Sequence, residues 1–139
     1  MADKTFRLEI VTPDRVVIAD DTVTSLVAPG AEGYLGVLAN HAPLLTEIKV
    51  GELNIKRLER SAQILAVGAG FMEVSGNTVI VLADTAELAE EIDVTRADDA
   101  KRRAQERLRR RADAEIDASR AEAALARALN RLHVAEHVR

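Results

Sequence analysis

All seven glycines, all three prolines and all three aromatic residues of this 139-residue chain lie before residue 77. From Asp84 to Arg139 none of these occurs, while fourteen alanines and twelve lysines or arginines do. Turn-formers and β-branched residues thus give way to helix-formers at one place, so the chain must obey two local rules in succession. The expected fold class is β plus α: an N-terminal antiparallel β-sandwich over residues 1–84, then a C-terminal antiparallel two-helix hairpin over 85–139.

Short apolar-rich runs recur through the first block: Thr5–Val11, Thr22–Ala28, Tyr34–Leu38, Leu44–Ile48, Gly51–Leu58, Ala62–Val67, Phe71–Val74 and Thr78–Ala83. In Phe6-Arg7-Leu8-Glu9-Ile10 the apolar residues share one face of a strand and the charges share the other. Pro13-Asp14, Pro29-Gly30, Asn40-His41 and Ser75-Gly76-Asn77 supply turn geometry between the runs. Short strands at this spacing, with no helix-length segment between them, indicate an antiparallel sandwich or barrel and not a parallel βαβ sheet.

In the second block Asp93 stands where its carboxylate can accept from the free N–H groups that open a helix. Ala97, Ala100, Ala104 and Leu108 form a stripe on that helix; Ala121, Leu125, Ala128, Leu132 and Ala135 form one on a second, which Asp117 can cap. The pattern lapses around Ala112–Asp117, as a short link between antiparallel helices requires. With so many alanines in the seam the helices can approach closely, yet they bury little apolar area. At ~25 cal/mol per Å² such a seam is weak, and the hairpin is expected to be a mobile element on a rigid one.

Composition closes off several functions. Lys plus Arg number 19 and Asp plus Glu 23, and the formal net charge of −4 disfavours general binding to nucleic acid or to an anionic membrane. Phe6, Tyr34 and Phe71 make no base-stacking platform. The lack of cysteine excludes disulfides, zinc–thiolate sites and cysteine nucleophiles. Met1-Ala2-Asp3-Lys4 has no apolar secretory region, and the nearly apolar run Ile64 to Met72 is too short to cross a bilayer. A soluble intracellular chain is expected.

Catalytic equipment is scarce. No HExxH, GxSxG, CxxC or P-loop pattern occurs. His133 and His137 are four apart and could share a helix face toward a metal, but imidazoles near a helix C-terminus are explained by its dipole, and no metal site is assigned. His41 is the only histidine in the first block, so no Ser–His pair is expected and the chain reads as non-enzymatic. The glycine-containing stretch Pro29 to Gly36 leads into no helix, so it lacks the N-terminus that a phosphate loop uses.

Arginines of the hairpin are the most informative group. Arg96 and Arg103, seven apart, lie on one face of the first helix, and Arg127 and Arg131, four apart, share a face of the second. A hairpin folded at 114–115 brings the four guanidiniums to neighbouring levels near Asp93. Like charges placed so call for an anion, whose oxygens fit guanidinium forks, or for water and acidic neighbours. Lys101-Arg102-Arg103 with Arg107 and Arg109-Arg110-Arg111 makes one end of the first helix basic, as a solvated face or as a salt-sensitive handle for an acidic partner. An RNA- or polyanion-binding module is the competing use, against which net charge and the few aromatics weigh.

The stretch Glu32-Gly33-Tyr34-Leu35-Gly36-Val37-Leu38-Ala39-Asn40-His41-Ala42-Pro43-Leu44-Leu45-Thr46 resembles the signature of the epsilon subunit of bacterial F-type ATP synthase. Gly70-Phe71-Met72-Glu73-Val74 and Val81-Leu82-Ala83-Asp84-Thr85-Ala86 are similar to further segments of that family, as is a strand-rich half followed by an alanine-rich hairpin. The resemblance implies a non-catalytic rotor subunit of the central stalk, with no required cofactor and no nucleic-acid partner. Its sandwich would meet the gamma subunit and the ring of membrane c subunits, with Tyr34 and His41 at the c ring. Its hairpin would be a mobile brake: folded it permits turnover, extended into the catalytic alpha/beta head it inhibits ATP hydrolysis. Arg102, Arg107, Arg109 and Arg110 would then meet an acidic segment of a beta subunit. The implied location is peripheral, at the cytoplasmic face of the bacterial plasma membrane, without insertion.

Some members of that family bind ATP on the folded hairpin through an Ile/Leu-Asp-x-x-Arg-Ala motif, which stands here as Ile92-Asp93-Val94-Thr95-Arg96-Ala97. Glu87, Arg103, Arg127 and Arg131 match further positions used in those members, so the resemblance implies ATP as a regulatory ligand favouring the folded form. Three positions depart from the family pattern. Tyr34 replaces a frequent acidic residue, exchanging a charge contact for aromatic packing. Asn40 replaces a frequent glycine, a change its tolerance of positive φ permits, and Gly68-Ala69-Gly70 replaces the more usual Ser-Gly-Gly.

Overall fold

Phe6, Leu8 and Ile10 are buried while Arg7 and Glu9 between them are half-buried, so β1 (Phe6–Val11) realises the two-residue period written in its sequence. The computed structural model describes residues 4–138, and the opening Met1-Ala2-Asp3 lies outside them. After β1 come β2 (Val16–Gly30), β3 (Gly33–Leu38), β4 (Leu44–Ile48), β5 (Gly51–Arg57), β6 (Arg60–Val67), β7 (Gly70–Ser75), β8 (Thr78–Ala83) and β9 (Ala86–Leu88). The helices α1 (Val94–Arg109) and α2 (Ala118–Ala135) complete the chain. No described helix is long and apolar enough to cross a membrane.

The strands follow one hydrogen-bonded path, β1-β8-β7-β4-β2-β5-β6-β9, with β3 attached to β2 and β1 also paired to β2. β2 serves both layers of the sandwich. Its first part pairs with β1, its second with β3 and β5, and Gly30 at its end meets Ile48 of β4. The inward residues of the two layers, among them Leu8, Leu26, Leu53, Ile55, Leu65, Met72 and Val81, form one apolar core.

Four features differ from expectation. First, β2 is fifteen residues long, not confined to Thr22–Ala28. Asp20 and Asp21 interrupt its alternation, but their charges are answered within the sheet. Asp20 accepts from the Thr22 N–H at 2.7 Å, the Thr22 hydroxyl at 2.6 Å and Arg57 Nε at 2.7 Å. Asp21 accepts from Arg7 Nη1 at 3.0 Å. Second, Pro29-Gly30 is not a turn; both residues stay in β2, and the chain reverses at Ala31-Glu32, between Gly30 and its partner Gly33.

Third, β1 and β8 run parallel, Leu8 opposite Val79 and Ile10 opposite Val81, so one pairing departs from the antiparallel pattern. No crossover helix is needed, because the intervening strands carry the chain back. Fourth, β9 pairs antiparallel with β6, and the first compact unit therefore runs to Leu88, past the compositional change at Asp84. Three residues are too few to show a period.

The second unit starts at Ala89. A 3-10 turn at Ala89–Glu91 leads to Asp93, which caps α1 by accepting from the Arg96 N–H at 3.0 Å. Asp117 caps α2 in the same way, from the Arg120 N–H at 3.0 Å. α1 buries Ala97 and Ala104; α2 buries Ala121, Ala128 and Ala135, together with Val134. Ala100, Leu108, Leu125 and Leu132 are half-buried. The buried seam between the helices is thus made largely of methyl groups at seven-residue intervals, on the faces the spacing indicates.

Candidate functional site

Each residue of Ile92–Ala97 that the motif names has a distinct place at the start of α1. Ile92 is buried, Ala97 enters the seam, and Asp93 spends its carboxylate on the helix cap, which leaves the Arg96 side chain exposed. Asp93 therefore meets Arg96 through the backbone N–H and not through the guanidinium. Arg103 follows two turns on and is exposed; on α2, Arg127 is exposed and Arg131 half-buried. Among the described residues the guanidiniums of Arg96, Arg103 and Arg127 make no ion pair. Glu87 lies on β9 in the first unit and is half-buried.

The basic end of α1 is organised differently. Arg102 pairs with Asp98 at 2.7 Å, Arg109 with Glu106 at 3.3 Å and Arg110 with Asp113 at 3.2 Å, while Arg107 has no ion pair among the described residues. The Glu115 N–H and the Arg110 guanidinium hold the Asp113 carboxyl below its usual range. Arg107 and Arg109 also occupy the last turn, where positive charge complements the helix dipole. Together Arg102, Arg103, Arg107, Arg109 and Arg110 line a shallow, open basin of about 580 Å³. Exposed pairs of this kind are readily exchanged, so the basin can receive the carboxylates of another surface.

In the first unit Tyr34 projects from β3 and is 62% exposed. His41 sits in the loop before β4, half-buried, with Nδ1 2.7 Å from the Ala42 carbonyl oxygen. The loop is fixed at Asn40, which has φ 63° and donates its N–H to Asn77 Oδ1 at 2.7 Å.

Beyond Tyr34, three further outward apolar residues share the sheet surface, which no motif marks. Phe71 of β7 and Leu82 of β8 are cross-strand partners, 52% and 54% exposed, and Leu45 of β4 is exposed beside them. Adjacent apolar pairs carry the signal: in Leu44-Leu45, Phe71-Met72 and Val81-Leu82 a two-residue period forces one member outward. Apolar strips on a rigid sheet mark contact surfaces.

Comparison with known proteins covers both units. Residues 5–89 match the family model for the ATP synthase delta/epsilon chain beta-sandwich domain, and residues 90–136 that for its long alpha-helix domain. The chain is 50% identical over 133 residues to the ATP synthase epsilon chain of Desulforamulus reducens, covering 96% of this chain and 98% of that one. It is 57% identical over 108 residues to the ATP synthase epsilon chain of Pelotomaculum thermopropionicum, covering 78% and 79% respectively. In fold it is similar to a chain of the Euglena gracilis mitochondrial ATP synthase, with a TM-score of 0.76 at 22% identity over 88% of this chain and 76% of that one.

Proposed function

Because the chain belongs to the ATP synthase epsilon-chain family, whose members are accessory and not catalytic subunits, we propose that it is a rotor subunit of the central stalk whose hairpin regulates ATP hydrolysis. The sandwich is the fixed part. It docks on the gamma subunit and against the ring of c subunits, helping to couple proton flow to synthesis at the cytoplasmic face of the plasma membrane. The exposed strip of Leu45, Phe71 and Leu82, and Tyr34 with His41, supply surfaces for such contacts.

The observation that carries the regulatory reading is the contrast between the two units. The sandwich encloses large side chains such as Phe6, Leu26, Ile55 and Met72, whereas the seam between α1 and α2 is closed by alanines. Apolar burial per residue is small there, so opening the hairpin costs little compared with opening the sandwich. A two-state hairpin on a fixed base can permit turnover when folded and obstruct the head when extended, the basic end of α1 then facing an acidic segment of a beta subunit.

ATP serves in this reading as the ligand of the folded state. Among the described residues Arg96, Arg103 and Arg127 offer guanidiniums without ion pairs, and Arg131 a half-buried one. A nucleotide shifts the hairpin only by its preference for one form. Calorimetric titration of ATP, with and without magnesium, into the isolated chain tests the site. Saturable one-to-one heat that disappears in Arg96→Ala is expected. Absence of heat up to about millimolar ATP would assign the arginines to partner subunits instead.

A further inference from the structure

Two of the three histidines in the chain, His133 and His137, stand four residues apart where α2 ends. His133 lies in the last turn of α2, which closes at Ala135, and His137 in the 3-10 turn Glu136–Val138 that follows. Both are exposed, whereas Val134 and Ala135 between them are buried and fix the backbone of the turn. The two rings face each other, 5.5 Å from centroid to centroid, at an interplanar angle of 81°. One ring nitrogen of each lies within 4.8 Å of one on the other.

A helix dipole favours positive charge in a last turn, but it does not ask for imidazole. The same hairpin meets that demand at the end of α1 with Arg107 and Arg109. Guanidinium has no lone pair to give a metal; neutral imidazole has one. Two cations four residues apart on a helix also repel, so charge compensation alone does not favour a facing pair. A chelate does.

Metal–nitrogen bonds of ~2.0–2.1 Å around a tetrahedral ion set two ligand nitrogens about 3.3 Å apart. From a separation within 4.8 Å this takes a rotation of exposed rings and no movement of the backbone. Imidazole suits zinc, nickel and copper, whereas magnesium and calcium prefer oxygen. The chain has no cysteine, so no thiolate elsewhere in it competes for such an ion.

We propose that His133 and His137 chelate a divalent transition ion of the zinc, nickel and copper class, which staples the end of α2. Water completes the shell of the ion. With one ligand on each side of the Ala135–Glu136 junction, the ion holds the α-helical and 3-10 turns in one arrangement. Helix ends fray first, because their last carbonyls have no partner within the helix. An ion that binds only the formed turn stabilises it by that preference. The turn Glu136–Val138 packs against the 3-10 turn Ala89–Glu91 that leads into α1, so the staple braces the open end of the hairpin. The site depends neither on the rotor reading nor on ATP at the arginines.

The test titrates zinc and nickel ions calorimetrically into the full chain, prepared without a histidine tag and without nucleotide. His133→Gln, His137→Gln and, as control, His41→Gln are titrated in parallel. One ion per chain is expected, bound about tenfold or more weakly by either hairpin variant and equally by His41→Gln. Magnetic resonance of the rings gives a second readout: zinc is expected to shift the signals of His133 and His137 and to leave those of His41 in place. Amide exchange at residues 133–138 is expected to slow about tenfold with zinc, and magnesium is expected to do none of this. No binding up to about millimolar zinc overturns the inference, as do equal binding by the hairpin variants and equal binding of magnesium. Binding that leaves exchange at 133–138 unchanged overturns the staple. Should a variant melt early, the ring signals and exchange of the unmodified chain decide.

Discussion

Asn77 holds Asn40: its Oδ1 accepts the Asn40 N–H at 2.7 Å, across the end of the sandwich. Both residues lie in the left-handed region, at φ 59° and 63°. Asn77 also donates from Nδ2 to the Thr5 carbonyl at 2.9 Å, and its own carbonyl accepts from the Arg7 N–H at 3.2 Å. One side chain in the β7–β8 turn thereby ties the loop that carries His41 to the start of β1.

Asn77→Ala removes both side-chain bonds and places at positive φ a residue without the short polar side chain that lets asparagine tolerate that region. A loss of about 2 kcal/mol is expected, most of it from the two bonds and part from the backbone. Asn77→Gly keeps the φ and loses only the bonds, so it is expected to cost less. Urea denaturation of the two variants measures the difference, and amide exchange in residues 39–42 is expected to rise in both.

Gly70 sits opposite Ala83, and a Cβ there would lie 1.8 Å from the Leu82 carbonyl oxygen, which is backbone and cannot yield. Gly70→Ala is expected to destabilise the sandwich by about 3 kcal/mol or more. Gly36→Ala, in open space, serves as the matched control and is expected to be near neutral in thermal melting.

Arg57 has a side chain only 5% exposed and places Nε 2.7 Å from Asp20 Oδ2, with Gln63 as a second acceptor. Removing the carboxylate in Asp20→Ala leaves that guanidinium short of a partner and is expected to cost about 3 kcal/mol. The Thr22 hydroxyl and N–H, with Arg57, hold the Asp20 carboxyl below its usual 3.8. A depressed carboxyl contributes stability that is present above its unfolded value and lost as pH falls through its folded value. The stability gap between the unmodified chain and Asp20→Asn is therefore expected to be constant from neutral pH to about 5 and to narrow below about 4, as followed by urea titrations at each pH.

Enlarging the seam is expected to affect one unit only. Ala104 and Ala128 are buried in the hairpin, and Leu at either position overfills a methyl-sized space. Ala128→Leu is expected to cost about 1–3 kcal/mol of hairpin stability. Exchange is expected to accelerate across 94–135 while the strands keep their protection. Uniform acceleration through both units would contradict the independence of the hairpin.

How legible this was in the sequence depended on periodicity. Phe6-Arg7-Leu8-Glu9-Ile10 announced β1, and the alanine spacing announced the faces of α1 and α2, because each segment is long enough to repeat. The first half of β2 was hidden by Asp20-Asp21, whose charges are answered by Thr22, Arg57 and Arg7, contacts that no local pattern encodes. The parallel partnership of β1 with β8 and the short β9 are likewise decided by distant pairing. At the candidate site, spacing located Arg96, Arg103, Arg127 and Arg131 on the two helices, and capping chemistry located Asp93. The ion pairs that occupy Arg102, Arg109 and Arg110 depend on side-chain reach.

The proposed regulation by the hairpin of a complex to which the sandwich attaches is read out by ATP hydrolysis of an epsilon-depleted head complex to which either the full chain or residues 1–88 are added. Both are expected to bind through the sandwich, and only the full chain is expected to suppress hydrolysis, with ATP relieving the suppression. Binding of both forms with equal hydrolysis would contradict the regulatory role of the hairpin, and failure of both to bind would contradict the rotor reading itself.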